Sequence, residues 1–163
     1  MCCMFLKHYK NNINKMILNQ IVLCICKLWH NVKKLHKYGL AIVRSKKLLV
    51  VRKNNTSIFL LPGGKPEKGK DMKKTLSREI KEELDAILIL NSIRYYGVFE
   101  DIAANEPNTF IKIILVIGDI KGDLKPSSEI KEIMWIGSDY QINLASSIKN
   151  KILPALIKDG VVD

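Results

Sequence analysis

Residues 63 to 86 constrain the chain more than any other stretch: a glycine pair, Gly63-Gly64, entered from Leu61-Pro62, runs straight into a helix carrying Arg78-Glu79-Ile80-Lys81-Glu82-Glu83. A helix advances about 100° per residue. Glu79, Glu82 and Glu83 therefore share one face at i, i+3 and i+4. Met72, Leu76, Ile80 and Leu84 form an apolar stripe on the neighbouring face, so the helix packs along one side and carries its carboxylates beside that contact. Three crowded carboxylates repel one another. A hard divalent cation among them relieves the repulsion, and Mg²⁺ or Mn²⁺ prefers such oxygen ligands. The plainer alternative is a solvated acidic face, which the adjoining glycine turn makes the weaker account. Two glycines after a proline let the main chain come close to a phosphate or a metal.

The spacing resembles the Nudix box, G-x5-E-x7-R-E-U-x-E-E-x-G-U with U apolar. Gly64, Arg78, Glu79, Ile80, Glu82 and Glu83 stand at their places. Lys70 replaces the first glutamate of the pattern, Asp85 replaces the second glycine, and Ala86 is a small final apolar residue. The resemblance implies an α/β/α sandwich with a mixed sheet. It also implies Mg²⁺-dependent hydrolysis of a phosphoanhydride in a nucleoside diphosphate derivative, with Mn²⁺ as a possible substitute ion. Nucleoside triphosphates, oxidised ones included, lead the candidate substrates, with nucleotide sugars and ADP-ribose next. By position, Glu79, Glu82, Glu83 and the Gly64 carbonyl would hold the metal, and Arg78 would orient Glu82 four residues on. Lys70 reverses a charge near that shell. Glu67, three residues earlier, is placed to substitute in part. The reversed charge also leaves open a nucleotide-binding module without turnover.

Outside the box, Arg52, Lys53, Gly63 and Gly64 are candidates for phosphate contacts. Glu100, Glu106 and Glu129 are candidates for one more acidic residue at the site. Tyr95, Tyr96, Phe99 and Phe110 could stack on a base, although core packing explains most of them.

A chain of 163 residues fits one domain with a sizeable core. Its net charge of +11 is uneven: residues 1–66 hold thirteen of the 27 Lys and Arg and no acid. That excess suits a basic surface drawing polyphosphate or nucleic acid, which opens an RNA-end hydrolase as a further reading. It also suits an AT-rich coding sequence, since Lys outnumbers Arg 23 to 4. Residues 1–34 read as a basic extension ahead of a domain spanning 35–163. All four cysteines, Cys2, Cys3, Cys24 and Cys26, lie in the extension, and Cys24-x-Cys26 lacks common zinc spacing. Reduced thiols in a cytoplasmic protein are the simplest expectation. The apolar segment 16–26 is too short to span a bilayer.

Alternating and β-branched runs place strands at 38–43 and 47–52, read as a hairpin, then at 58–61, 87–90, 93–99 and 133–136. The run 110–120 is the most strand-like and is expected to be central, and a polar loop is expected at 100–109. Asp71 is the expected N-cap of the acidic helix, which ends near Leu84. A closing helix is expected over 145–158, with Pro154 as a kink.

Overall fold

Both faces of the strands are apolar, and that dictates a three-layer arrangement. In the computed structural model, which describes residues 33–69, 71–104 and 108–163, the strands are β1 (Lys33–Ala41), β2 (Val43–Arg44), β3 (Lys47–Lys53) and β4 (Phe59–Leu60). Helix α1 (Met72–Leu84) follows, then β5 (Ile87–Leu88), β6 (Arg94–Ile102), β7 (Thr109–Ile117), β8 (Ile120–Lys121) and β9 (Ile130–Ile136). The chain closes through a π-helical turn (Ile148–Ile152) into α2 (Leu153–Lys158). Alternate residues of β1 and β3 point opposite ways. Leu40, Ile42, Leu49 and Val51 pack with Leu76, Ile80 and Leu84 of α1. Ala41, Leu48 and Val50 pack with Ile148, Ile152, Leu153 and Leu156. Each fully buried Leu or Ile side chain contributes roughly 2 kcal/mol, so these two clusters fix both helices against the strands. The result is the α/β/α sandwich expected from the sequence.

The strand pairing departs from the expected hairpin. Val43–Arg44 pairs back on Lys47–Leu48, and Leu49 N–H donates to the Ile42 carbonyl at 2.9 Å, around Ser45 and Lys46 at φ 47° and 60°. Two positive φ values suit a tight hairpin turn. β1 instead runs parallel to β7, from Lys33 opposite Thr109 to Ala41 opposite Ile117. Burial on both faces explains this, because a strand covered by helices above and below belongs inside a mixed sheet. β7 is central, in the order β1-β7-β6, as expected for 110–120, but it ends at Ile117, and Ile120–Lys121 form β8 against β5 instead. β3 lies antiparallel to β9 and to β4.

Three further expectations shift. β6 reaches Ile102 and so takes in the start of the expected polar loop, and Ala103 N–H donates to the Thr109 carbonyl at 2.8 Å. The run 87–90 is strand only at Ile87–Leu88, and Leu90–Ser92 turns as a 3₁₀ helix. The closing helix widens into the π turn before Pro154, with Leu153 N–H donating to the Ile148 carbonyl. Proline lacks an N–H and crowds the carbonyl four residues back, and the wider turn relieves that conflict.

Candidate active site

The turn 62–64 lies along the edge of β1. Leu40 N–H donates to the Pro62 carbonyl at 3.0 Å, and Tyr38 N–H donates to the Gly64 carbonyl at 2.9 Å. This close approach needs both glycines. A Cβ on Gly63, whose φ is +130°, would lie 2.2 Å from the Tyr38 carbonyl oxygen. A Cβ on Gly64 would lie 2.0 Å from Glu79 Oε1. The turn is latched to α1 from the other side, because Gly63 N–H donates to Glu83 Oε2 at 3.1 Å.

Helix α1 presents its carboxylates to this turn because its ends and its apolar stripe set its rotation. Asp71 caps it, accepting from Lys74 N–H at 2.8 Å. At the other end Asp85 takes the left-handed conformation, φ 51° and ψ 30°, and Lys81 pairs with it four residues later. Arg78 fans across three carboxylates: Glu79 and Glu67 at 2.6 Å and Glu82 at 2.8 Å. Glu67 thus joins the box arginine, in the direction expected for a partial substitute. Lys70 lies outside the described residues. Glu83 is 2% exposed. Burial pushes its carboxyl up to about 7, against the opposing pull of Lys37, the Gly63 N–H and Lys53, and Glu79 raises it further.

The basic and acidic candidates outside α1 separate. Lys53 pairs with Glu129, and both act electrostatically on Lys37 beside the site. Arg52 donates from Nε to Glu132 at 3.0 Å, reaches the Thr56 carbonyl and lies over the Phe59 ring, so its guanidinium serves the strand. Glu100 pairs with Lys112 on the β6–β7 ladder, and Glu106 lies outside the described residues. Tyr96 donates to Asp159 and stacks on Phe99, whereas Tyr95 and Phe110 are exposed. None of these four aromatics lines the cavity beside β1, a space of about 90 Å³.

The comparisons with known proteins meet this geometry. A sequence model of the NUDIX domain matches residues 34–155. The chain belongs to the Nudix family. It is 36% identical over 90 residues to an ADP-ribose pyrophosphatase of Methanocaldococcus jannaschii, covering 54% of this chain and 52% of that protein. It is 31% identical over 100 residues to the mRNA-decapping protein OPG122 of vaccinia virus, covering 51% of this chain and 39% of that one. The chain thus spans about half of the first relative and less of the second. Among solved structures, a Nudix hydrolase family member from Chromobacterium violaceum superposes with a TM-score of 0.56 at 28% identity, covering 77% of this chain and 79% of its own. The MutT protein of Methanosarcina mazei superposes at 0.65 and 18% identity, covering 80% and 97%, a likeness of fold.

Nudix hydrolases generally use divalent ions, and the donors here fit one. Glu79, Glu82, Glu83 and the Gly64 carbonyl are all hard oxygens. The Gly64 oxygen accepts from Tyr38 N–H, which leaves it a second lone pair. The positions are not drawn into a finished cluster: among the described residues no three His, Cys, Asp or Glu side chains converge as metal ligands. Arg78 holds Glu79 and Glu82, and the Gly63 N–H holds Glu83.

Lys37 lies beside this site, and sequence reasoning missed it. It is half-buried on β1 and lines the cavity with Gly39, Leu61, Ile111 and Ile113. Burial lowers its pKa, and Glu83 is the first of the charges that oppose the shift. One signal was available, a lysine two residues before the apolar run of β1. Its approach to α1 depends on the parallel pairing, which no local pattern encodes.

Proposed function

We propose that this Nudix domain hydrolyses a phosphoanhydride bond in a nucleoside diphosphate linked to a further group. The observation carrying the reading is the mutual fit of turn and helix: Gly63 N–H bound to Glu83, and Gly64 bare so that Glu79 can close on it. Glu79, Glu82, Glu83 and the Gly64 carbonyl would hold Mg²⁺. That ion, when bound, neutralises charge on the diphosphate and activates water. Arg78 keeps Glu79 and Glu82 oriented. In this reading Glu83, buried and held by the Gly63 N–H, also polarises the attacking water. Lys53 and Glu129 border the same site and are its second tier of charge, with Lys53 offered to phosphate.

The 36% identity to an ADP-ribose pyrophosphatase puts ADP-ribose ahead of nucleoside triphosphates as the substrate to try first. A second reading is hydrolysis at an RNA 5′ end, favoured by the 31% identity to a decapping protein and by the acid-free first 66 residues. A panel of ADP-ribose, nucleotide sugars, nucleoside triphosphates and capped RNA, with and without Mg²⁺, separates them. In parallel, calorimetry with Mn²⁺ should show binding that Glu82→Gln weakens at least about tenfold, roughly 1.4 kcal/mol. Equal binding by the variant would remove the metal assignment.

A further inference from the structure

Lys37 has no carboxylate partner among the described residues, unlike the other cations grouped near the site. Arg78, Arg52 and Lys53 each hold at least one glutamate. Lys37 Nζ makes one long contact, 3.5 Å to the Leu61 carbonyl. That distance is at the outer limit of a hydrogen bond. The cavity walls beside it are apolar at Gly39, Leu61, Ile111 and Ile113. A half-buried ammonium without a partner lowers stability. The carboxylates that face Lys37 lie beyond ion-pair distance, which leaves the ammonium open to an anionic oxygen at closer range.

The location specifies that charge. Leu61 leads directly into the turn 62–64, and β1 carries both Lys37 and the Tyr38 amide that holds Gly64. Glu83 and Glu79 of α1, Glu129 before β9 and Lys53 of β3 are the charged groups that face Lys37. A diphosphate bound at the α1 glutamates would therefore pass within reach of this ammonium. The cavity behind it, about 90 Å³, is well below the roughly 300 Å³ of an enclosing ligand pocket. It has space for a small apolar portion of a ligand while the phosphates remain outside.

We propose that Lys37 is a substrate-binding residue, its ammonium taking a non-bridging phosphate oxygen of the diphosphate at the edge of β1. The proposal rests on the hydrolase reading for its ligand class and has its own test. The probe is α,β-methylene-ADP, a diphosphate whose carbon bridge resists cleavage, titrated with Mn²⁺ present. Lys37→Met should bind it at least tenfold more weakly, while Mn²⁺ affinity does not fall, because the substitution removes a positive charge that faces Glu83. Lys37→Arg should recover part of the loss, and KM for the best substrate should rise more than kcat falls. The Lys37→Met protein should also melt at the same or a higher temperature, because methionine removes the desolvation cost of the ammonium and keeps the chain length. Wild-type affinity in Lys37→Met, or a wild-type protein that does not bind the probe, overturns the proposal. A lower melting temperature with no recovery by Lys37→Arg overturns it too, since that pattern marks a structural lysine. If the wild type cleaves nothing yet Lys37→Met still loses the probe, the hydrolase reading fails alone. If turnover is brisk and Lys37→Met binds normally, the Lys37 proposal fails alone.

Discussion

Glu83 is held between two opposing requirements: burial favours its proton, and the Gly63 N–H with Lys37 favours its charge. Its folded pKa of about 7 lies above the ordinary 4.5. The folded state therefore binds more protons than the unfolded chain between those values. Stability from this group is fully present below pH 4.5 and is lost as pH rises toward and past 7. The loss is about 1.4 kcal/mol per pH unit and on the order of 3 kcal/mol in all. Metal-free Glu83→Gln should escape that loss. Urea unfolding at several pH values should show the variant gaining on wild type between pH 4.5 and 7, and a constant difference would refute the assignment. At this scale the sequence was informative where helix geometry alone sets neighbours. Arg78 reaches Glu82 four residues on, as the spacing implied. It was uninformative about Lys37 and about the bond between Gly63 and Glu83, because both contacts join residues distant in the chain.

Among the elements, α1 was the most legible. Its N-cap at Asp71, its apolar stripe and its stop at Leu84 follow from local chemistry, and the structure has all three. Asp85 shows how a departure from the family pattern is absorbed. An aspartate adopts the left-handed turn that glycine takes at less cost, and its ion pair with Lys81 is exposed and so worth little. Asp85→Gly should therefore raise stability by about 0.5–1 kcal/mol, read as a higher melting temperature with metal affinity unchanged. A lower melting temperature would show that the Lys81 pair outweighs backbone strain. The strands were less legible. The run before Val43 identified a strand correctly but not its partner, since β7 lies about 70 residues downstream. Pro154 was expected to kink a helix, and the π turn ahead of it is how the kink is accommodated.

Across the whole molecule, the three-layer fold follows from two apolar clusters on opposite faces of the same strands. The class was legible because the acidic helix, the strand pattern and the closing helix occur in an order that fits few architectures. The described unit begins at Lys33, where β1 starts. The segment 16–26 and the four cysteines lie outside the described residues. We expect a chain begun at Val32 to fold with an unchanged melting transition and to keep most of its turnover; failure to fold would show that earlier residues complete the core. The central claim is that α1 and the glycine turn form a metal-dependent phosphoanhydride hydrolase. Its most direct test is product formation from ADP-ribose, or from the best substrate of the panel, by wild type and Glu83→Gln with and without Mg²⁺. The account predicts monophosphate products from wild type only with the ion present, and a loss of at least about 100-fold in the variant. Cleavage by Glu83→Gln at the wild-type rate would contradict it.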